Sequence, residues 1–212
     1  KKVEKAEEKI MYADWNAETR KLQVVQNYSA SENFVAVIKP TGVNEIINIA
    51  PPRFIANTDS VLSTDLESAY ERSGAENMSE SDWLSPHNIG GSWYGGTHGT
   101  TGESGEPTGF SDNVSLKING KTVDAAENIS RYAADLEITW DTYAGGTDKE
   151  NAIVVEHHTL RFDGVKWRVR TELEFLADAE WNAYYGMQCV YGVWNGTVSY
   201  DGNGAKSISQ DG

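Results

Sequence analysis

Apolar and polar positions alternate with a period of two most clearly in the C-terminal half of this chain, the signature of half-buried strands. Asp135-Leu-Glu-Ile-Thr-Trp-Asp141 sets Leu136, Ile138 and Trp140 against Asp135, Glu137, Thr139 and Asp141. Ile153 to Phe162 reads as another strand, and Asp163-Gly164 is a hairpin signal. Beyond it Trp167, Val169, Thr171, Leu173 and Phe175 face one way, and Arg168, Arg170, Glu172 and Glu174 the other. The N-terminal part predicts strands over Lys9–Trp15, Lys21–Asn27, Phe34–Lys39 and Ile46–Ala50, the last two closed by Pro40-Thr-Gly42 and Pro51-Pro52. Trp181 to Trp194 is a further aromatic strand region, and 197–212 has room for one last strand.

Helical spacing occurs once. Leu62, Leu66, Ala69 and Tyr70 follow a Thr64-x-x-Glu67 capping box, predicting at most one short helix over 60–72. Residues 73–116 contain no Lys or Arg and hold nine of the twenty glycines, material for a structured loop that places side chains. No βαβ rhythm and no fixed repeat is present. The expectation is a single all-β domain over 1–212, an antiparallel β-sandwich of jelly-roll type, with 60–116 as a long Gly-rich insertion.

Composition narrows the function. The chain has 212 residues, 32 acidic and 18 basic side chains and a net charge of -14. Phosphate backbones and anionic membranes require clustered Lys and Arg, so neither nucleic acid nor a membrane surface is an expected partner. No apolar run approaches a membrane span and no signal peptide is evident; the opening at Lys1 is what a processed or excised piece would show. A single cysteine, Cys189, allows neither an intrachain disulfide nor a cysteine zinc site, and reads as a small buried hydrophobe.

Four constellations could carry chemistry. Trp93-Tyr-Gly-Gly-Thr-His-Gly99 places Trp93, Tyr94 and the imidazole of His98 on a chain able to bend sharply toward a substrate. Arg168, Arg170, Glu172 and Glu174 share one strand face, with Arg161 in the preceding strand. Such a face is either a solvated sheet surface or a cleft floor where guanidinium groups grip a sugar carboxylate. Tyr184-Tyr-Gly-Met-Gln-Cys-Val-Tyr191 offers Tyr184, Tyr185 and Gln188 for stacking and hydrogen bonding, or for core packing. Glu156-His157-His158 puts its two imidazoles on opposite strand faces, which argues against a shared metal; His157 has the parity of Arg161. Asp148-Lys-Glu150 and Asp201-Gly-Asn-Gly204 could supply oxygens to a structural calcium but lack the spacing of a calcium loop, so no cofactor is expected.

Ser81-Asp-Trp-Leu-Ser-Pro-His87, Trp93-Tyr-Gly-Gly-Thr-His-Gly99, Pro107-Thr-Gly109, Asn119-Gly-Lys121 and Tyr184-Tyr-Gly-Met-Gln188 resemble a domain of phage tail-fibre and tailspike proteins and of related bacterial polysaccharide-degrading proteins. The likeness spans roughly residues 80–195. It implies an extracellular or virion-associated protein of bacterial or phage origin that binds and cleaves capsular or exopolysaccharide. Its motif-matching positions are Trp93, His98, Tyr184, Tyr185 and Gln188. A homo-oligomer is compatible with that setting, although no heptad demands one.

The function expected first is a polysaccharide lyase acting by β-elimination on a uronate-containing glycan. That reaction needs a neutraliser for the carboxylate (Arg170 or Gln188), a base for the α-proton (His98) and an acid for the leaving oxygen (Tyr185 or Tyr184). Trp93, Tyr94, Tyr184, Arg168, Glu172, His157 and Arg161 are the expected substrate contacts. One alternative is a glycoside hydrolase, whose carboxyl pair could be Glu172 and Glu174, about 6–7 Å apart at strand rise. The other is a non-catalytic carbohydrate-binding or fibre domain, for which seven Trp and ten Tyr supply stacking surfaces.

Overall fold

A computed structural model describes residues 11–57, 66, 87–95, 106–146, 148–164, 166–186, 197–199 and 207–209. The described residues form an all-β protein of antiparallel sheets packed against each other, as the alternation predicts. The first sheet contains β1 (Met11–Asn16), β2 (Lys21–Asn27), β3 (Glu32–Thr41), β4 (Ile46–Ala56) and β9 (Ile129–Ala133), in the order β4-β3-β2-β1-β9. The second contains β7 (Gly109–Ile118), β8 (Lys121–Val123), β10 (Leu136–Ala144), β11 (Val154–Phe162) and β12 (Trp167–Phe175), in the order β12-β11-β10-β7-β8. A three-stranded sheet, β13-β5-β6, joins β5 (His87–Ile89), β6 (Ser92–Tyr94) and β13 (Trp181–Tyr184), and β14 (Thr197–Ser199) pairs with β15 (Ser207–Ser209).

The two five-stranded sheets share one core. Met11, Ala13, Trp15, Leu22, Val24, Ala36, Ile38, Ile47 and Ile49 of the first meet Leu116, Ile118, Leu136, Ile138, Trp140, Leu160 and Phe162 of the second. These are the period-two positions, and removing them from water is the main force holding the layers together. The first sheet is covered on its other face too. Val25, Val35, Val37, Ala50 and Ile55 are buried there, with Tyr12 and Leu66 packed against them. Leu66 is the only described residue of the predicted helix; the rest of 60–72 lies outside the described residues.

The prolines do not end their strands. β3 continues through Pro40 and β4 through Pro51 and Pro52. Pro40 lies beyond the stretch where β2 pairs with β3, so no ladder on that side needs its missing N–H. Pro51 and Pro52 fall on the edge strand, where the register with β3 shifts between Val35 and Val37. The hairpin from β7 to β8 has the two-residue turn Asn119-Gly120, both at positive φ (51° and 74°), as a tight hairpin of that hand requires. The Asn119 side-chain oxygen also accepts from the Ala134 and Asp135 amides, at 2.8 and 3.2 Å. Parts of the Gly-rich stretch are strand and not loop: β5 and β6 lie within it, and Gly109 opens β7.

Candidate functional site

The inward stripe of β11 is Val154, Glu156, His158, Leu160 and Phe162. Two of these five are ionisable, in a position that strand parity reserves for the core. The small sheet supplies their partners. β5 and β13 pair so that His87 stands opposite Tyr184, and their rings stack with centroids 4.8 Å apart. Ile89 and Tyr94 of the small sheet pack on Ala144, Val154 and Leu173 of the second large sheet, which seats His87 over β11.

The result is a buried carboxylate between two imidazoles. Glu156 and His87 have fully buried side chains, as does His158. His158 Nε2 lies 2.8 Å from Glu156 Oε2. His87 Nε2 lies 3.0 Å from Oε1, within ion-pair range but out of line for a hydrogen bond. Thr171 on β12 meets the other nitrogen of His158, Oγ1 to Nδ1 at 3.1 Å, and the ring of Trp140 stacks beneath it at 4.9 Å. His87 Nδ1 is buried with no hydrogen-bond partner among the described residues.

Burial works against ionisation of Glu156, but the contacts and charge of His158 and His87 outweigh it. The carboxyl is held well below the usual carboxylate range. Tyr184 shows the opposite shift. Burial, the adjacent Glu156 charge and a hydrogen bond to that carboxylate push its phenol well above the ordinary value of 10.0. The phenol therefore stays protonated at any physiological pH: Tyr184 is a donor, not a base.

Above this cluster lies an aromatic ledge. Trp181 touches Tyr184 (5.5 Å), His87 (6.0 Å) and Phe175 (5.1 Å). Tyr185 forms a separate stack on Trp93 of β6, with centroids 5.1 Å apart; Trp93 pairs with Asn88, on the opposite face of the small sheet from His87. Trp181, Phe175 and Tyr185 are 39%, 45% and 51% exposed. Large rings left this open beside a buried charge are a natural platform for the apolar face of a sugar.

The outer face of the second sheet is a separate region. Arg168, Arg170 and Glu172 point to its solvent side, opposite Thr171 and its contact with His158. Arg170 reaches Glu172 at 2.8 Å, Arg168 reaches Asp163 at 2.8 Å, and Arg161 reaches Asp135 at 2.7 Å. His157 sits between Asp141 (2.7 Å) and Glu174 (3.4 Å). The hydrogen bond to Asp141, more than that to Glu174, raises its pKa above the ordinary 6.5. The side chains in this region neutralise one another along an open sheet surface.

Of the residues the sequence singles out, Tyr184 meets Trp181 at the ledge, Trp93 and Tyr185 stack as a separate pair, and Tyr94 packs against the second large sheet. Arg161, Arg168, Arg170, Glu172 and His157 gather on the other side of β11 and β12. His98 and Gln188 lie outside the described residues. The Glu156-His157-His158 run stands out in the sequence, but only His157 is taken from it as a candidate contact, and His87 and Trp181 are given no role. A signal for Glu156 and His158 exists: they share the parity of Val154, Leu160 and Phe162, so they stand in a core stripe. Nothing in the chain order links His87 to them.

No group of three or more His, Cys, Asp and Glu is placed to hold a metal among the described residues. Asp148 instead caps its own turn, accepting from the Asn151 backbone and side chain at 2.9 Å, while Lys149 pairs with Asp112 at 2.8 Å. Asp201–Gly204 lies outside the described residues. No described helix is long and apolar enough to cross a membrane. In comparisons with protein-family models, curated proteins and solved structures, nothing matches this chain.

Proposed function

We propose that the protein is a polysaccharide-degrading enzyme, a lyase that cleaves a uronate-containing glycan by β-elimination, with Tyr184 at its centre. The observation that carries this reading is the ionised, buried Glu156 held between His87 and His158 with the Tyr184 phenol upon it, at the border of an exposed aromatic ledge. Burying an ion cluster of this kind is a poor way to stabilise a fold, and strongly perturbed groups gather where chemistry is done.

In this scheme the sugar lies on Trp181, beside Tyr184. Tyr184, anchored by Glu156, delivers its proton to the departing glycosidic oxygen. A phenol shifted upward keeps its proton at neutral pH, so Tyr184 meets the leaving oxygen as a donor and not as a base. His98 is assigned the α-proton and Gln188 the carboxylate, on residue type and on the resemblance of their motifs. Arg170, directed to the other face of β12, is left out. Glu172 and Glu174 are engaged with Arg170 and His157 on an open surface, which weakens the hydrolase alternative.

The test is incubation with a panel of uronate polysaccharides, reading the absorbance of unsaturated sugar ends. Wild type is expected to generate it, and Tyr184→Phe to lose about 100-fold or more of the rate. Turnover unchanged in Tyr184→Phe overturns the assignment. The ledge supports a second reading, a glycan-binding domain without turnover: sugar binding that depends on Trp181, with no product from any polysaccharide, would establish it instead.

A further inference from the structure

β12 is the terminal strand of its sheet: β11 runs along one side, and no described strand pairs with the other. It follows β11 without a bulge over nine residues, from Val154↔Phe175 to Phe162↔Trp167. It contains no Pro and no Lys, and its inward positions carry no charge. Proline, a bulge and an inward-pointing charge, three devices with which proteins commonly blunt such an edge, are therefore missing from β12, and its charges are two Arg and two Glu on the solvent face. The inward residues Trp167, Val169, Thr171 and Leu173 are only partly covered, whereas Val154, Glu156, His158, Leu160 and Phe162 beside them on β11 are buried. Apolar surface is thus left along the edge.

The strand Trp167-Arg-Val-Arg-Thr-Glu-Leu-Glu-Phe175 is its own antiparallel complement. We propose that β12 is a docking edge for a second copy of this chain, paired antiparallel about a two-fold axis at Thr171. That register sets Arg168 opposite Glu174 and Arg170 opposite Glu172 of the second copy on the solvent face. On the inner face it sets Trp167 opposite Phe175 and Val169 opposite Leu173. Both rows then pair favourably across the axis, and the same patch serves both copies, as an isologous dimer requires.

Neighbouring registers fail. A shift of two residues in one direction puts Arg170 against Arg170, and in the other Glu172 against Glu172. A shift of one residue sets charged side chains opposite apolar ones. Two Arg and two Glu also make the edge locally neutral on a chain of net charge -14, so this is a surface where two copies can approach without the general repulsion. The present partners of these charges lie within their own chain and are solvated, so exchanging them across the axis costs little. The two five-stranded sheets would run on as one continuous sheet of ten strands.

The test is sedimentation analysis of the full chain across the micromolar range. Wild type is expected to form a concentration-dependent dimer. Arg170→Glu and Glu172→Arg each place like charges opposite one another twice in the symmetric pair, and each should weaken self-association about ten-fold or more. The double variant restores opposite charges and should dimerise again. The equimolar mixture of the two single variants should form a heterodimer, since each supplies the sign the other lacks; that recovery also shows both to be folded. A wild type that stays monomeric throughout overturns the proposal. So do single variants that associate like wild type, and a mixture that stays monomeric.

Discussion

His157 and His158 are adjacent on β11, and each lies against carboxylates, yet they belong to different regions of the molecule. His158 points inward, its side chain fully buried, with both nitrogens engaged by Glu156 and Thr171. His157 points outward and is 43% exposed between Asp141 and Glu174. Water decides the difference. On the outer face it screens every pair and solvates any partner that is removed, so single contacts there contribute little. On the inner face no solvent compensates, so removing one member strands the others. The same types of residue give a replaceable surface network on one side and a fixed cluster on the other.

The largest effect is expected at Glu156, on the buried face. Glu156→Leu leaves two imidazoles without their carboxylate and should cost ~3–5 kcal/mol, read in denaturant unfolding. Replacing His87, Glu156 and His158 together by Leu or Met should return more than about half of that loss, because no ionic group is left stranded. The same triple variant should have no lyase activity. If it remained as active as wild type, the cluster would be structural only.

Tyr184→Phe should have an intermediate effect on stability, about 1–2 kcal/mol for a hydrogen bond from a partly buried phenol to a charged acceptor. It serves at the same time as the activity test above.

The two faces should also diverge in pH. Glu156 has its carboxyl lowered in the folded state, so its contribution is present above the ordinary value of 4.5 and is lost as pH falls below it toward the folded pKa. His157 is raised, so its contribution is complete below 6.5 and is lost as pH rises through its folded pKa. His157→Asn should therefore destabilise in mildly acid buffer and converge on wild type in alkaline buffer. After solvent screening the gap should stay under about 1 kcal/mol. The smallest change expected is Glu137→Gln, which breaks the exposed pair with Lys117 and should stay within about 0.5 kcal/mol by thermal unfolding.

Much of the fold is legible in the chain. The sequence marks β11 and β12 within a residue and β10 to within three, and the Asp163-Gly164 signal lies at the hairpin from β11 to β12. The prolines mislead, because whether Pro40, Pro51 and Pro52 end a strand depends on which neighbours pair beside them. The site is less legible. Tyr184, Tyr185 and Trp93 stand out as aromatics in Gly-rich surroundings, but only Tyr184 meets the buried cluster, while Tyr185 and Trp93 stack on each other. The grouping of Arg161, Arg168 and Arg170 is correct as strand parity, but parity does not say which side of the sheet a binding surface occupies.

Strand identity, face parity and the self-complementary order of charges in β12 were determined by the sequence itself, because each depends only on neighbours along one chain segment. The meeting of His87 with Glu156 and His158 was decided by tertiary structure alone. Those residues come from separate sheets nearly seventy positions apart. What binds them is the shared exclusion of water, a property that exists only once the layers have closed.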